Sequence, residues 1–125
     1  MKEKMEISLR RKNGKRDFLT VYGRRLSELG NGFGLMFSQR EKAEVLIFGF
    51  SKPTRLAIHS FFVFFPFIAL WLNDKKELLE FKIVKPWTFH VTPKQDFSTL
   101  IEIPMNKNNK ELIKIIFSST GERFK

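Results

Sequence analysis

From residue 45 to residue 117 short apolar runs follow one another, and no long amphipathic stretch with helical spacing separates them. The runs cover 45–50, 55–65, 68–72, 78–84, 100–103 and 112–117. Turn chemistry breaks them at Ser51-Lys52-Pro53, Pro66, Asn73-Asp74-Lys75, Pro86, Pro93 and 105–109. This spacing predicts a mostly β chain, a β-sandwich or barrel-like unit, rather than alternating β-α units. At 125 residues the chain is long enough for one core and too short for two, so 1–125 is expected to be a single domain. The run at 112–117 fits either a terminal strand or a short helix, and 118–125 reads as a frayed tail.

The N-terminal third carries a second local signal. Asn13-Gly14 lies between Glu6-Ile7-Ser8-Leu9-Arg10 and Phe18-Leu19-Thr20-Val21-Tyr22, two flanks that alternate apolar with polar residues. Asn-Gly supplies the positive backbone angles of a two-residue turn, which predicts a β-hairpin with one wet face. Residues 24–29 are expected to form one or two helical turns, the one short helical segment of the fold, stopped by Gly30-Asn31-Gly32. Glycines at 30, 32 and 34 are followed by no Gly-Lys-Ser/Thr, so a tight turn against Leu35-Met36-Phe37 is expected in place of a phosphate loop.

Charge is concentrated at the same end. The chain has 23 Lys and Arg against 13 Asp and Glu, a net +10, and residues 1–25 hold nine of the bases and three of the acids. Arg10, Arg11, Lys12, Lys15, Arg16, Arg24 and Arg25 form the cluster that a polyanion such as a nucleic acid would meet. A solvated basic hairpin explains them without a ligand. Fifteen of the aromatics are Phe, which places aromatic mass in a core or groove. With no Cys there is no disulfide framework, thiolate nucleophile or cysteine metal site, and a cytoplasmic location is compatible with that composition. The first fourteen residues lack the apolar core of a secretory signal. Residues 61–72 are strongly apolar, yet Pro66 interrupts them, and a spanning helix needs about 20 residues. Buried strand is the expectation, with insertion into a membrane surface as the residual alternative.

Five segments in order then resemble a known family: Gly34-Leu35-Met36-Phe37; Ile58-His59-Ser60-Phe61-Phe62-Val63-Phe64-Phe65-Pro66; a strand ending at Leu72-Asn73; Lys85-Pro86-Trp87; and Leu100-Ile101-Glu102-Ile103-Pro104. Over residues 17–117 the chain resembles the domain of unknown function 192 family, also called uncharacterised protein family 0127, in its archaeal form. The resemblance implies a β-rich, sandwich-like domain and no established activity, cofactor or partner. The chain departs from the family pattern at Ser60, where relatives carry Met, at Ile68, where they carry Asp, and at Met105-Asn106, where they carry Ala-Gly. If that aspartate carries chemistry in relatives, Ile68 removes it here. High charge without cysteine is also compatible with a heat-adapted source.

Catalytic constellations are sparse. His59 and His90 stand 31 residues apart with no neighbouring ligand spacing, so no metal or other cofactor is expected. His59, in an apolar run, is expected to be a hydrogen-bonded core histidine, with a catalytic or ligand role as the alternative. Ser60 beside it is no dyad, because strand neighbours point to opposite faces. Glu102 is expected on the wet face of its strand; pointing inward it would require a partner. Trp87, behind Lys85-Pro86, is the best candidate for a pocket rim. These residues lead to a non-enzymatic binding or interaction module, its groove near Met36, His59, Trp87 and Glu102. The alternatives are an enzyme using His59 or Glu102 as general base, and polyanion binding through the basic hairpin. The ligand or protein partner is unknown from sequence, and a homodimer through a Phe-rich strand edge is a further expectation.

Overall fold

The computed structural model describes residues 2–11, 13–27 and 34–120. Six strands form one curled sheet, a half-barrel: β1 (Lys2–Arg10), β2 (Arg16–Ser27), β3 (Leu46–Thr54), β4 (Phe67–Leu72), β5 (Leu78–Val84) and β6 (Phe97–Pro104), followed by a helix α1 (Lys110–Thr120). The spatial order is β1-β2-β3-β6-β4-β5, with β2 and β3 parallel and every other pair antiparallel. Curling brings the two edges together: the Ser8 N–H of β1 donates to the Lys76 carbonyl just before β5, at 2.9 Å, and Arg16 pairs with Glu77 across the same seam. The expected mostly β architecture with one short helix is therefore what the chain forms, with the helix over the run at 112–117, open in the sequence between strand and helix, and not at 24–29.

The β1–β2 hairpin runs in register from Lys2 opposite Arg24 to Arg10 opposite Arg16. Its turn is wider than two residues. Arg11 N–H closes it onto the Lys15 carbonyl at 2.7 Å, and Gly14 takes a left-handed angle, at φ 87°. Asn13 contributes its side chain instead, accepting from the Lys15 N–H at 3.0 Å. The helical turn expected at 24–29 is a strand as far as Ser27, because Arg24 N–H donates to the Val45 carbonyl and 24–27 lie in parallel register with Leu46–Gly49 of β3. Pairing along a whole edge outweighs a weak local helical preference. Residues 28, 29 and Gly30-Asn31-Gly32 lie outside the described residues.

Side-chain alternation gives the sheet two apolar faces. Ile47, Ile68, Leu70, Leu72, Ile101 and Ile103 point to one, where Ile113, Ile116 and Phe117 of α1 pack on them. Their i, i+3, i+4 spacing settles the ambiguity at 112–117 in favour of a helix. The expected tail at 118–120 is its last turn, pinned by Ser119, whose hydroxyl donates to Asp17 at 2.8 Å; 121–125 lie outside the described residues. Ile68 is fully buried in this face. Asn106 bonds the Arg40 and Ala43 carbonyls and accepts from Asn109 N–H at the start of the helical turns.

On the opposite face Leu46, Phe48, Phe67, Ala69, Trp71 and Leu100 meet no helix but the segments around 35, 58 and 63–65. The strand expected at 55–65 is absent. Ile58 alone makes a bridge, to Val91, and the chain then turns at Phe61 and Phe62 before β4. Val63 and Phe65 reach inward while Phe62 and Phe64 stay outside.

Gly23 marks the tightest crossing in β2: a Cβ there would lie 2.8 Å from the Val45 carbonyl oxygen. Backbone cannot yield as a flexible side chain can. Gly23→Ala is expected to destabilise the protein by about 1–3 kcal/mol, read as a lower urea midpoint with an unchanged slope; a midpoint equal to wild type would show that β2 is free to shift.

Candidate functional site

The helix-free face is roofed by three chain segments, and Ser60 ties two of them together. Its buried hydroxyl donates to the Lys85 carbonyl and accepts from the Thr88 N–H, each at 2.6 Å. Its backbone N–H donates to the Thr88 carbonyl, and its carbonyl accepts from Trp87 and Val63 N–H groups. The third segment joins where Phe37 N–H donates to the Phe62 carbonyl at 2.9 Å. Such a clamp has a backbone cost: Phe37, Phe62 and Trp87 take left-handed angles of φ 62°, 58° and 60°. Non-glycine residues in that region are disfavoured by about 1–3 kcal/mol each.

Beneath this roof lies a cleft of about 110 Å³. Met36 and Val63 contribute its upper apolar wall, Phe48 and Phe67 its floor on the sheet, and His59 and Glu102 its polar groups. The structure thus brings Met36, His59 and Glu102 together and leaves Trp87 out of the lining. Trp87 is held outward by its left-handed backbone and by Ser60, and it packs against Phe62 instead, with ring centres 4.9 Å apart.

Glu102 is not on the wet face. It sits opposite Leu46 of β3 and Ala69 of β4, on the same side as Leu100, so strand alternation sends it into the roofed face. The sequence could not tell the faces apart because both are apolar. Its side chain is 6% exposed, and none of the hydrogen bonds or ion pairs among the described residues involves its carboxyl group. Burial therefore acts on it uncompensated and raises its pKa to about 8. Gly34, left-handed at φ 56°, lies against it: a Cβ there would be 3.7 Å from Glu102 Oε1.

His59 is an exposed loop residue rather than a core histidine, since the strand that would have buried it is not formed. Its Nδ1 accepts from the Phe61 N–H at 3.2 Å. Ser60 is buried and His59 exposed, in a loop rather than in the expected strand. His90 is exposed, and no group of three or more potential ligands could hold a metal ion among the described residues.

The basic cluster is largely engaged. Arg11 pairs with Asp17 at 2.6 Å, Arg16 with Glu77, Arg24 with Glu44 at 3.4 Å and Arg25 with Glu3. Arg10 and Lys15 make no ion pair among the described residues, and Lys12 lies outside them. The Arg11 hydrogen bond holds Asp17 below the usual carboxylate range, and the Asn73 hydrogen bond does the same for Glu77. No helix among the described residues is long and apolar enough to cross a membrane.

Sequence reasoning missed two features. Ser60 as a clamp left no signal in one sequence, since a serine within an apolar run does not declare its partners. The outward array of Phe37, Phe62, Phe64 and Trp87 was hidden by the expected alternation of a strand at 55–65.

No protein-family model matches the chain. A UPF0127 protein of Pyrococcus furiosus is 32% identical over 92 residues, 72% of each chain. Among solved structures, a protein of Sinorhizobium meliloti described as a candidate transcription regulator superposes with a TM-score of 0.62 at 16% identity, covering 88% of this chain and 86% of that one. A protein of unknown function from Novosphingobium aromaticivorans gives 0.60 at 13%, covering 87% and 78%. At such identities the structural likeness is one of fold.

Two outcomes test the site. Between pH 4.5, the ordinary glutamate value, and about 8, the folded protein keeps the Glu102 proton that the unfolded chain releases. Stability is then highest below that window and falls through it by up to about 1.4 kcal/mol per pH unit. Asp17 and Glu77 act below it, because their values are lowered. Glu102→Gln is expected to flatten the wild-type decline of Tm between pH 5 and 8, whereas parallel curves would mean that the carboxyl is already solvated or paired. Ser60→Ala leaves the Thr88 N–H without its acceptor, while the Lys85 carbonyl keeps the Thr88 hydroxyl at 2.7 Å, and is expected to cost about 1–3 kcal/mol in urea denaturation; no loss would show that the clamp is redundant.

Proposed function

We propose, on the premise that the chain belongs to uncharacterised protein family 0127, that it is a small non-enzymatic binding module whose roofed cleft holds one small molecule against Glu102. One observation carries this: a buried carboxyl group faces a cavity and has no partner among the described residues. Proteins pair nearly all buried polar groups, and a carboxyl group that keeps only a little accessible surface on an apolar cleft wall bears part of that desolvation cost. A ligand that hydrogen-bonds Glu102 removes that cost. With its pKa near 8 the group is mostly a neutral acid at pH 7, offering one donor and one acceptor, the pattern that an amide, a carboxylic acid or an alcohol complements. The cleft is smaller than the roughly 150 Å³ cavity that admits benzene. A ligand, or the end of a larger one, of about four heavy atoms fits it.

Binding is favoured over catalysis because the lining, among the described residues, offers no serine, threonine, cysteine or lysine to act beside His59 and Glu102. Polyanion binding through the hairpin is less supported, because Arg11, Arg16, Arg24 and Arg25 already meet carboxylates.

A thermal-shift screen with small amides, carboxylic acids and alcohols tests the proposal. A ligand at 100 times its Kd adds about 2.7 kcal/mol, which is expected as a Tm rise of several degrees. Glu102→Leu and Ala57→Phe, the second filling the cleft from its wall, are expected to abolish the rise. A library without a single shift, or shifts that both variants retain, would overturn it.

A further inference from the structure

We infer that the outer surface of the roof is a docking face for an anionic lipid surface, into which its aromatic side chains dip. Phe37, Phe62, Trp87 and Phe64 form a continuous chain of rings, with centres 5.0, 4.9 and 5.9 Å apart in turn. Phe89, two residues beyond Trp87, packs on Phe61 with ring centres 5.0 Å apart. These are exposed side chains: Phe89 is 75% accessible, Phe37 62%, Phe64 61%, Trp87 45% and Phe62 41%. Single exposed apolar residues are ordinary, but contiguous aromatic patches on separate loops mark a surface that is covered in use.

Charge indicates what covers it. Segments 34–40, 55–66 and 85–94, which supply these rings, contain no aspartate or glutamate. They do contain Arg40, Arg55, Lys85 and Lys94; Arg40 and Arg55 meet Glu41 and Asp96 just outside these segments, whereas Lys85 and Lys94 make no ion pair among the described residues and supply the unpaired positive charge. A second copy of this chain would present the same basic face and be repelled by it. An anionic bilayer complements it, with lysines at the headgroups and Trp and Phe at the apolar boundary.

Ring geometry and backbone bonding agree. Phe37 and Phe62 stack on one another at 23°, while Trp87 meets Phe62 and Phe64 nearly edge-on. The rings are occupied with each other and leave no parallel slot for a nucleic-acid base. Entry into a lipid layer also requires backbone groups to be bonded internally. The Phe37, Ser60, Phe61, Val63, Trp87 and Thr88 N–H groups all are. Clamped by Ser60, the loops present their side chains without having to be ordered on contact.

The test uses the full chain in flotation with vesicles of equal phosphatidylcholine and phosphatidylglycerol, and with phosphatidylcholine alone. Binding is expected to the anionic vesicles and at least tenfold less to the neutral ones. The double variant Phe64→Asp, Phe89→Asp, at exposed positions with ordinary backbone angles, is expected to lose at least tenfold in affinity with an unchanged Tm. Lipids brominated in the acyl chain are expected to quench Trp87; Trp71 is fully buried, so Trp87→Phe should remove the quenching. No flotation with anionic vesicles overturns the inference. So does flotation that the double variant leaves intact, which would place binding on the basic hairpin. Loss of single-stranded RNA or protein binding in that variant, without vesicle binding, would assign the face to another partner and equally overturn it.

Discussion

The sheet has two apolar faces, and helix α1 covers only one of them. β4 makes the problem unavoidable, because all six of its residues are buried and alternate between the two sides. Burying that much apolar surface on one side only would leave Phe67, Trp71 and Phe97 in water. The other cover is therefore assembled from loops, and loops carry backbone polar groups that must be bonded wherever they are buried. Ser60 meets that demand at the centre of the roof, with its hydroxyl and both backbone groups engaged.

The candidate site follows from this constraint. A roof of irregular segments does not pack as continuously as a helix, and a cleft remains where it meets β6. Glu102 points into that cleft because strand register leaves it no other direction. The left-handed angles at Phe37, Phe62 and Trp87 follow from the same tying of loop to loop, and they turn aromatic side chains outward. One structural need thus gives the roof an inner surface with a lone carboxyl group and an outer surface of rings.

Much of the fold was legible in the sequence because turn chemistry is local. Asn73-Asp74-Lys75 bounded β4 and β5, Pro66 marked the start of β4, and Asn13-Gly14 located the hairpin. What failed depended on distant partners. Residues 24–27 became strand through Val45 and β3, and 55–65 lost strand character to hydrogen bonds with 85–91. At the site, apolar periodicity around Glu102 was visible while the side it faced was not, since burial on both faces makes alternation silent. Met36 and His59 lie with it in the cleft, whereas Trp87, expected beside them, belongs to the outer surface.

The account depends most on the Glu102 carboxyl group being buried, neutral and without a protein partner at pH 7. Its ¹³C carboxyl resonance, followed from pH 4 to pH 10 in the ligand-free protein, measures this directly. The account predicts a single titration near pH 8. A midpoint close to 4.5, the value of an ordinary glutamate, would mean that water or a cationic group already reaches the carboxylate, and the roofed cleft would lose the feature on which its binding role rests.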